Sequence, residues 1–346
     1  MLNYNSCYIH LPQGYISHVG INLLTGFVQG GLRVFSNFDA SLELGSPHAL
    51  MTELLARIEH RLFPDDIDFC VIDVTRGTGD IQEINTYILG KKSVVLTMSD
   101  GSNYTAGVFS KSIMTFSAHC NRFARHKGAI FPLGFGVTNK LIEISNQYDL
   151  TEKKLKIIKN FNPTFRQEIR ASLELTLVEN LAHYFTIDTR HTSGNEYWKH
   201  LSESVAVLAY CGEYYADVRQ YDYMRDVVIK DRQELFDFEV FDCDVAIFRW
   251  DSYRFWEAAL FGCAPFQLHF EKYGMELPVM PIPWVHYIPI DLASVSLLPE
   301  KIAEMLRNDP LALHKIGKNA RTWVLENYSP LAVATHLLAT ADNAWP

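Results

Sequence analysis

Short apolar runs alternate with amphipathic stretches over residues 1–145, and this alternation restricts the possible folds more than any other feature. Helix-period spacing of apolar residues predicts helices over Pro47–Leu62 and Ile81–Leu89. Apolar runs bounded by turn residues predict strands at Ser6–Leu11, Leu32–Ser36, Asp68–Asp73, Ser93–Met98, Ile113–Phe116 and Ala129–Leu133. Strands separated by helices in this way are typical of a parallel α/β sheet, whose strand carboxyl ends form a ligand crevice.

A polar stretch at Ser145–Lys154 separates this half from a second half with the same alternation. The 346 residues exceed one ordinary domain, so we predict two domains, residues 1–150 and residues 151–346. In the second domain, strands are predicted at Lys156–Asn160, Tyr184–Ile187, Val205–Tyr210, Val245–Phe248, Phe266–His269 and Tyr287–Ile290. Helices are predicted from Thr164 to Leu181 and at Tyr197–Ser202, Ser252–Phe261, Pro299–Arg307, Ala312–Asn327 and Pro330–Thr340.

Charge and cysteine usage argue against several classes of function. The net charge of −9 disfavours broad nucleic-acid binding, which needs a basic surface. The six cysteines are widely spaced, and Cys243 stands alone instead of in a CxxC or CxxH pair, so neither a zinc site nor a disulfide framework is predicted. The first residues do not resemble a signal peptide, and no apolar run reaches the ~20 residues that span a bilayer. We therefore expect a cytoplasmic protein without a transmembrane segment, and peripheral membrane contact stays open.

The segment Arg249–Pro265, RWDSYRFWEAALFGCAP, combines a helix start with two charged side chains. Ser252 is placed to cap the helix, and Arg254 adds a guanidinium to the positive helix end, an arrangement that suits a pyrophosphate. Glu257 lies one turn further along the same face. A carboxylate at that place can accept hydrogen bonds from the two vicinal hydroxyls of a ribose.

The same residues also have a purely structural interpretation. Arg254 and Glu257 are three residues apart and could pair with each other on a solvated helix face, which is a common and weakly stabilising arrangement. Phe255, Trp256 and Phe261 could serve only as core residues. The residues downstream of the segment favour the ligand site over this alternative.

The downstream residues follow a recognisable order. After a strand come SYRFWEAALFGCAP, a second strand, LPVMPIPWVHYIPID and PEKIAEMLRNDPLALHKIGKNARTWVLENYSP. This order resembles the C-terminal donor-binding domain of GT-B-type glycosyltransferases and is most similar to the exostosin-like branch, over about Val245 to Tyr328, a quarter of the chain. The resemblance implies an α/β fold with two Rossmann-like domains facing a cleft. The N-terminal domain would bind the acceptor, the C-terminal domain would bind the donor, and the C-terminal helix would cross back.

The resemblance also implies roles for individual residues. Ser252, Tyr253 and Arg254 would face the diphosphate of a nucleotide-sugar donor, Glu257 would hold its ribose, and Gly262 would shape the turn beneath them. These assignments follow from the positions that match the family motif. The commonest family form reads E-A-L-A-x-G, whereas this chain has EAALFG.

Three further arginines enter the expected donor site. Arg166 and Arg170 lie one turn apart near the start of a predicted helix, where such enzymes often place basic residues against the diphosphate. Two arginines on a helix are more often solvated, so this alternative stays open. Arg249 stands eight residues before Glu257, where retaining relatives of glycogen synthase carry a glutamate. This departure favours an inverting mechanism.

An inverting transfer needs a general base close to the acceptor hydroxyl. The base is expected from the N-terminal half, across the cleft, at His18 in the loop after the first strand, Asp73 at the end of the third strand, or Asp100 in the turn after the fourth. Each has a structural alternative, because His18 could occupy a polar loop and the two aspartates could stabilise turns. Asp73 ranks first because its strand is the clearest.

The sequence therefore predicts a glycosyltransferase that moves a hexosyl or pentosyl unit from a nucleotide-sugar co-substrate to a hydroxyl of a glycan acceptor. We expect neither a metal nor a further cofactor, because helix termini and arginines would stabilise the leaving diphosphate. A sugar-nucleotide epimerase or hydrolase on the same fold is an alternative, since a fold does not determine a reaction. A non-catalytic glycan-binding or scaffold subunit is another.

Overall fold

The computed structural model of the chain describes residues 4–12, 18–38, 54, 56–75, 81–97, 114–122, 130–161, 168–216, 245–248 and 250–344. Its strands are β1 Ser6–His10, β2 Arg33–Ser36, β3 Ile58–His60, β4 Phe69–Asp73, β5 Ser93–Thr97, β6 Met114–Ser117, β7 Ile130–Pro132, β8 Lys154–Ile158, β9 Thr186–Asp188, β10 Ser204–Leu208, β11 Glu213–Ala216, β12 Val245–Phe248, β13 Ala264–Leu268 and β14 Ile288–Ile290. Its helices are α1 His18–Gln29, α2 Ile81–Ile88, α3 Asn139–Asn146, α4 Glu168–Leu173, α5 Glu179–Ala182, α6 Gly194–Glu203, α7 Tyr253–Leu260, α8 Leu298–Asn308, α9 Ala312–Tyr328 and α10 Pro330–Ala344. A π-helical stretch, Glu174–Val178, joins α4 to α5, and a 3₁₀ helix, Leu292–Leu297, precedes α8.

The first sheet is parallel and, within the described residues, has seven strands in the order β3-β2-β1-β4-β5-β6-β7. Its first six positions follow the order 3-2-1-4-5-6 of dinucleotide-binding folds. β2 and β3 lie on one side of β1, whereas β4 and the strands after it lie on the other side. A crevice is therefore expected outside the carboxyl ends of these two strands.

The two faces of the first sheet are both buried. In β1 and β4 the residues Ile9 and Val71 join the large hydrophobic cluster that includes α1, while Tyr8 and Ile72 join a second cluster with Ile84 of α2. Every residue of β4 and β5 is buried. Parallel strands covered on both faces read as continuous apolar runs, which is why the sequence predicts them to within a residue or two.

The second sheet is also parallel, with five strands in the described residues, in the order β14-β13-β10-β8-β9. When its strands are numbered 1 to 5 along the chain and read from the β9 edge, their order is 2-1-3-4-5. This is the strand order of flavodoxin-like sheets. Its switch point lies between β8 and β10. The predicted α/β class with two Rossmann-like sheets is confirmed.

One predicted strand belongs to a different sheet. Val245–Phe248 is a strand as expected, but it pairs antiparallel with β11 in a two-stranded ribbon instead of joining the second sheet. The parallel neighbour of β13 is instead β10, with Ala206 opposite Ala264. The sequence pattern identifies the strand but not its partner, because pairing depends on residues far apart in the chain.

The predicted helix over Pro47–Leu62 is wrong at its C-terminal end. Ile58–His60 forms β3, which extends the first sheet beside β2, with Ile58 opposite Val34. Arg33 and Glu59 meet across these strands through two hydrogen bonds of 2.5 and 2.8 Å. The helical spacing was misleading because Ile58 belongs to a half-exposed edge strand and not to the buried face of a helix.

The last two helices connect the halves of the molecule. α9 packs against α7 and β13 of the second half, whereas α10 packs along α1 of the first. The helices α1 and α10 approach so closely that a Cβ atom on Gly26 would lie 2.1 Å from the carbonyl oxygen of Pro330. The Tyr4 hydroxyl donates a hydrogen bond to Asp342 of α10. The predicted C-terminal helix that crosses back is confirmed.

Three features of other protein classes are absent from the described part of the chain. The five cysteines in it are buried free thiols, and Cys243 lies outside it. No described helix has the length and apolarity needed to cross a bilayer. No three described His, Cys, Asp or Glu residues are grouped so that they could hold a metal ion.

Candidate functional site

Two arginines converge on the switch point of the second sheet. Arg170 of α4 donates a hydrogen bond from Nε to the carbonyl oxygen of Tyr210, at 3.2 Å. Arg254 of α7 donates from Nε to the carbonyl oxygen of Asn160, at 2.9 Å. Tyr210 follows β10 and Asn160 follows β8, each by two residues, so the guanidiniums flank the crevice where α/β sheets bind ligands.

Phe161 positions both guanidiniums. The Cζ atom of Arg170 lies 4.5 Å from the centre of the Phe161 ring, and that of Arg254 lies 6.0 Å away. Phe161 is itself buried and packs edge-on against Tyr210. A guanidinium held on an aromatic ring and fixed through Nε directs its two terminal nitrogens as a rigid fork. Two such forks at one crevice suit an anion with several oxygens, such as a diphosphate.

Glu257 lies one helical turn beyond Arg254 and is buried. Burial raises the pKa of Glu257 to about 7, although Arg254 and a hydrogen bond from the Tyr197 hydroxyl act in the opposite direction. That hydroxyl donates to Oε2 of Glu257 at 3.2 Å, and burial raises the pKa of Tyr197 well above its usual value. The carboxyl group therefore changes its charge near neutral pH, close to Arg254.

The helix α7 begins and ends where the sequence predicts, but its cap differs. Ser252 has an extended backbone with φ of −146°, and its side chain makes no capping hydrogen bond. Instead the Ser252 carbonyl oxygen accepts from the Phe255 N–H at 2.9 Å. The predicted hydroxyl cap is therefore wrong, and the first-turn N–H groups are not satisfied by this side chain. Gly262, with φ of +67°, ends the helix as predicted.

Asp251 fixes the start of α7 against the first half of the chain. Its Oδ1 accepts from the indole N–H of Trp256 at 2.7 Å, and its Oδ2 accepts from the backbone N–H of Phe135 at 3.2 Å. Its own N–H donates to Nδ1 of His119 at 3.3 Å. Asp251 is buried, so these bonds form a rigid connection between the two halves.

His18 lies directly opposite the start of α7. Its ring centre is 3.7 Å from that of Tyr253, and Phe135 stacks on the same tyrosine with ring centres 4.7 Å apart. The sequence predicts His18 in a loop, but it is the first residue of α1. Since α1 follows β1 and α7 leads back to β13, the contact joins the carboxyl edges of the two sheets. The two halves of the chain are therefore in direct contact at this point.

The other predicted site residues lie elsewhere or outside the description. Asp73 ends β4 as predicted and is fully buried. Its Oδ1 accepts from the backbone N–H of Thr75 at 2.9 Å and from the Thr75 hydroxyl, so it stabilises the turn that follows the strand. Asp100, Arg166 and Arg249 lie outside the described residues.

Comparisons with known proteins support the same architecture. No protein-family model and no curated protein matches the chain. Among solved structures, an α-glucosyltransferase in complex with UDP is similar over 98% of this chain and 100% of its own, at 10% identity and a TM-score of 0.51. A glycosyltransferase from Rickettsia africae ESF-5 covers 99% of both chains at 13% identity and a TM-score of 0.48. An α-glucosyltransferase with UDP-glucose and DNA containing an abasic site covers 99% of both chains at 11% identity and a TM-score of 0.49.

The first of these structures decides the fold, since its TM-score exceeds 0.5 over nearly the full length of both chains. The chain has the GT-B glycosyltransferase fold. In this chain, His18 of the first half and Tyr253 of the second half are in direct ring contact between the two sheets.

Four residues of the site are not among the site residues that the sequence predicts. Asn160 and Tyr210 supply the carbonyl oxygens that fix the arginines, Phe161 carries their guanidiniums, and Tyr197 holds Glu257. A polar or aromatic residue just after a buried strand is the signal that could have identified the first three. Tyr197 lies 60 residues before Glu257, so no local pattern connects them.

Proposed function

We propose that this chain is a glycosyltransferase that moves a sugar from a nucleotide-sugar donor to a hydroxyl of a glycan. The donor binds at the carboxyl ends of β8 and β10. The observation that carries the proposal is the convergence of Arg170 and Arg254 on that crevice. Both guanidiniums are oriented before any ligand arrives, so binding a diphosphate requires little reordering of side chains.

The order of motifs over Val245–Tyr328 supports an exostosin-like type of donor segment. In this proposal Tyr253, Arg254 and the first-turn N–H groups of α7 face the diphosphate, together with Ser252, Arg170, Arg166 and Arg249. Glu257 holds the ribose in its ionised form. Its bond from Tyr197 uses one carboxylate oxygen, which keeps the group in a fixed orientation.

We also propose that the reaction inverts the anomeric centre and proceeds without a metal. Arg254 and the positive end of α7 would stabilise the leaving diphosphate, which is the task a metal performs in other transferases. His18 is the favoured base, because its ring lies against Tyr253 at the start of α7, whereas Asp73 is buried in its turn. Asp100 remains a candidate outside the described residues.

The proposal also assigns a different ligand to each half of the chain. The sheet of residues 1–150 would bind the acceptor and that of residues 151–346 the donor. The net charge of −9 supports a sugar acceptor over nucleic acid. A cytoplasmic location, peripheral membrane contact and the choice between hexosyl and pentosyl transfer stay predictions.

A transfer assay tests the proposal. UDP-, GDP-, ADP-, dTDP- and CMP-sugars would be incubated with and without simple glycosides, and the released nucleotide would be measured. We expect release from one donor to increase when a glycoside is added and to persist in excess EDTA, with an inverted anomeric proton signal by NMR. Arg254→Ala should remove this activity, and Arg307→Ala, which deletes an exposed arginine of α8, should not.

Other outcomes would separate the alternatives. Release that does not depend on any glycoside indicates a sugar-nucleotide hydrolase on the same fold. Conversion of the donor sugar without release of nucleotide indicates an epimerase. Loss of activity in EDTA contradicts the metal-independent mechanism alone.

A further inference from the structure

A pocket lies at the outer edge of the second sheet, away from the switch point. It has a volume of 370 Å³ and is lined by His269, Trp284, Pro289, Asp291, Ser294, Leu297, Leu298 and Lys301. Pro289 belongs to β14, the edge strand, which is separated from β10 by β13. With strands about 4.8 Å apart, the pocket lies some two strand spacings beyond the arginine crevice. Its volume is in the range of small-molecule sites.

One wall of this edge pocket is built around a tryptophan in a rare conformation. Trp284 has φ of +63°, in the left-handed region that bulky residues avoid. The backbone N–H of Trp284 donates to the Tyr287 carbonyl oxygen at 2.8 Å, and the Lys301 ammonium lies 4.4 Å from the centre of the indole ring. The surroundings thus impose the strained backbone and fix the ring. Such strain is concentrated at binding sites in proteins.

The edge pocket is also lined by polar side chains that are held in place by hydrogen bonds. Lys272 donates to Oδ1 of Asp291 at 2.6 Å and lowers the pKa of that carboxyl, so Asp291 stays ionised as a hydrogen-bond acceptor. The backbone N–H of Lys272 donates to Nδ1 of His269 at 3.3 Å. The proton of a neutral His269 is therefore on Nε2, which makes that nitrogen a donor. Ser294 and Lys301 add a hydroxyl and an ammonium.

We infer that the edge pocket binds one sugar unit of a glycan. A pyranose has C–H faces that pack on apolar surfaces and hydroxyl edges that need both donors and acceptors. The pocket offers the apolar surfaces of Trp284, Pro289 and Leu298 beside the acceptor Asp291 and the donors His269 and Lys301. A second sugar site outside the donor crevice would hold a glycan chain at a distance from the reacting end. The inference does not depend on the proposed transfer reaction.

Ligand-observed NMR tests the inference. The methyl glycosides of glucose, galactose, mannose, xylose, N-acetylglucosamine and glucuronic acid would be tested singly for saturation transfer from the full chain, with uridine as a comparison. We expect at least one glycoside to bind the wild type, Arg254→Ala and Arg307→Ala proteins alike. Its Kd should rise at least tenfold in Lys301→Ala and in Trp284→Asn. Asparagine is chosen because it tolerates a positive φ.

Several results would overturn the inference. The first is the absence of saturation transfer from every glycoside, and the second is unchanged binding in Lys301→Ala. The third is loss of binding in Arg254→Ala, which would place the sugar in the arginine crevice. Binding of uridine that depends on Lys301 would assign the pocket to a nucleoside instead. If Trp284→Asn fails to fold, Lys301→Ala and Ser294→Ala decide, since both replace exposed side chains.

Discussion

Glu257 changes its charge over the pH range in which the protein is expected to work. Its pKa is about 7 in the folded chain and near the ordinary 4.5 when unfolded, because burial disfavours the carboxylate. Folding therefore favours the protonated form. The resulting stabilisation is fully present below pH 4.5 and is lost as the pH rises through 7.

A glutamine at this position cannot ionise, so Glu257→Gln should make stability less dependent on pH. Between pH 4.5 and pH 8, wild type should lose on the order of 3 kcal/mol of unfolding free energy relative to the variant. Urea unfolding at several pH values measures this difference. Glu304→Gln, at an exposed position on α8, serves as the control. A difference between wild type and Glu257→Gln that is constant with pH would contradict the assignment.

Among the helices and strands, the sequence predicts the positions of buried strands well but the tertiary contacts between elements poorly. The helix α7 was located within one residue at each end, because Gly262 must adopt a positive φ and the apolar face is regular. The sequence predicts a helix where β3 lies, because Ile58 has a helical spacing from earlier apolar residues but belongs to a strand at the sheet edge. The cap at Ser252 and the bond from Tyr197 to Glu257 depend on tertiary packing, which no local pattern contains.

The packing of α9 on α7 depends on a glycine. A Cβ atom on Gly317 would lie 2.1 Å from the carbonyl oxygen of Gly262, and backbone atoms cannot move aside as a flexible side chain can. Gly317→Ala gains about 1 kcal/mol of helix propensity. The clash costs about 1–3 kcal/mol and should exceed that gain.

We therefore expect Gly317→Ala to lower the thermal midpoint. The melting curve followed by circular dichroism measures the change, and Lys318→Ala, at the exposed neighbouring position, is the control. A midpoint equal to or above that of the wild type would show that α9 can move away from α7 without cost.

At the scale of the whole molecule, α10 connects the two halves between which the proposed site lies. α10 packs on α1, and His18 at the start of α1 faces Tyr253 of the second sheet. The sequence predicts both sheets and the returning helix. It does not identify which residues of the first half meet the second, because that depends on how the sheets are oriented.

This division predicts different effects for residues on the two sides of the cleft. His18→Asn should lower kcat by about 100-fold or more, the usual effect of removing a general base, and should leave the Kd for donor within twofold of wild type. Steady-state transfer kinetics and calorimetry measure the two quantities. The control is His191→Ala, at an exposed position. A kcat within threefold of wild type would return the role to Asp73 or Asp100.

The proposed nucleotide-sugar site lies between Arg170 and Arg254 at the switch point of the second sheet. Calorimetric titration of nucleotide sugars and their nucleotides into wild type, Arg254→Ala and Arg307→Ala tests it most directly. We expect one nucleotide series to bind the wild type and Arg307→Ala equally. It should bind Arg254→Ala about 10–150-fold more weakly, because one charged hydrogen-bonding group is lost. Binding that is unchanged in Arg254→Ala, or no binding of any nucleotide to the wild type, would contradict it.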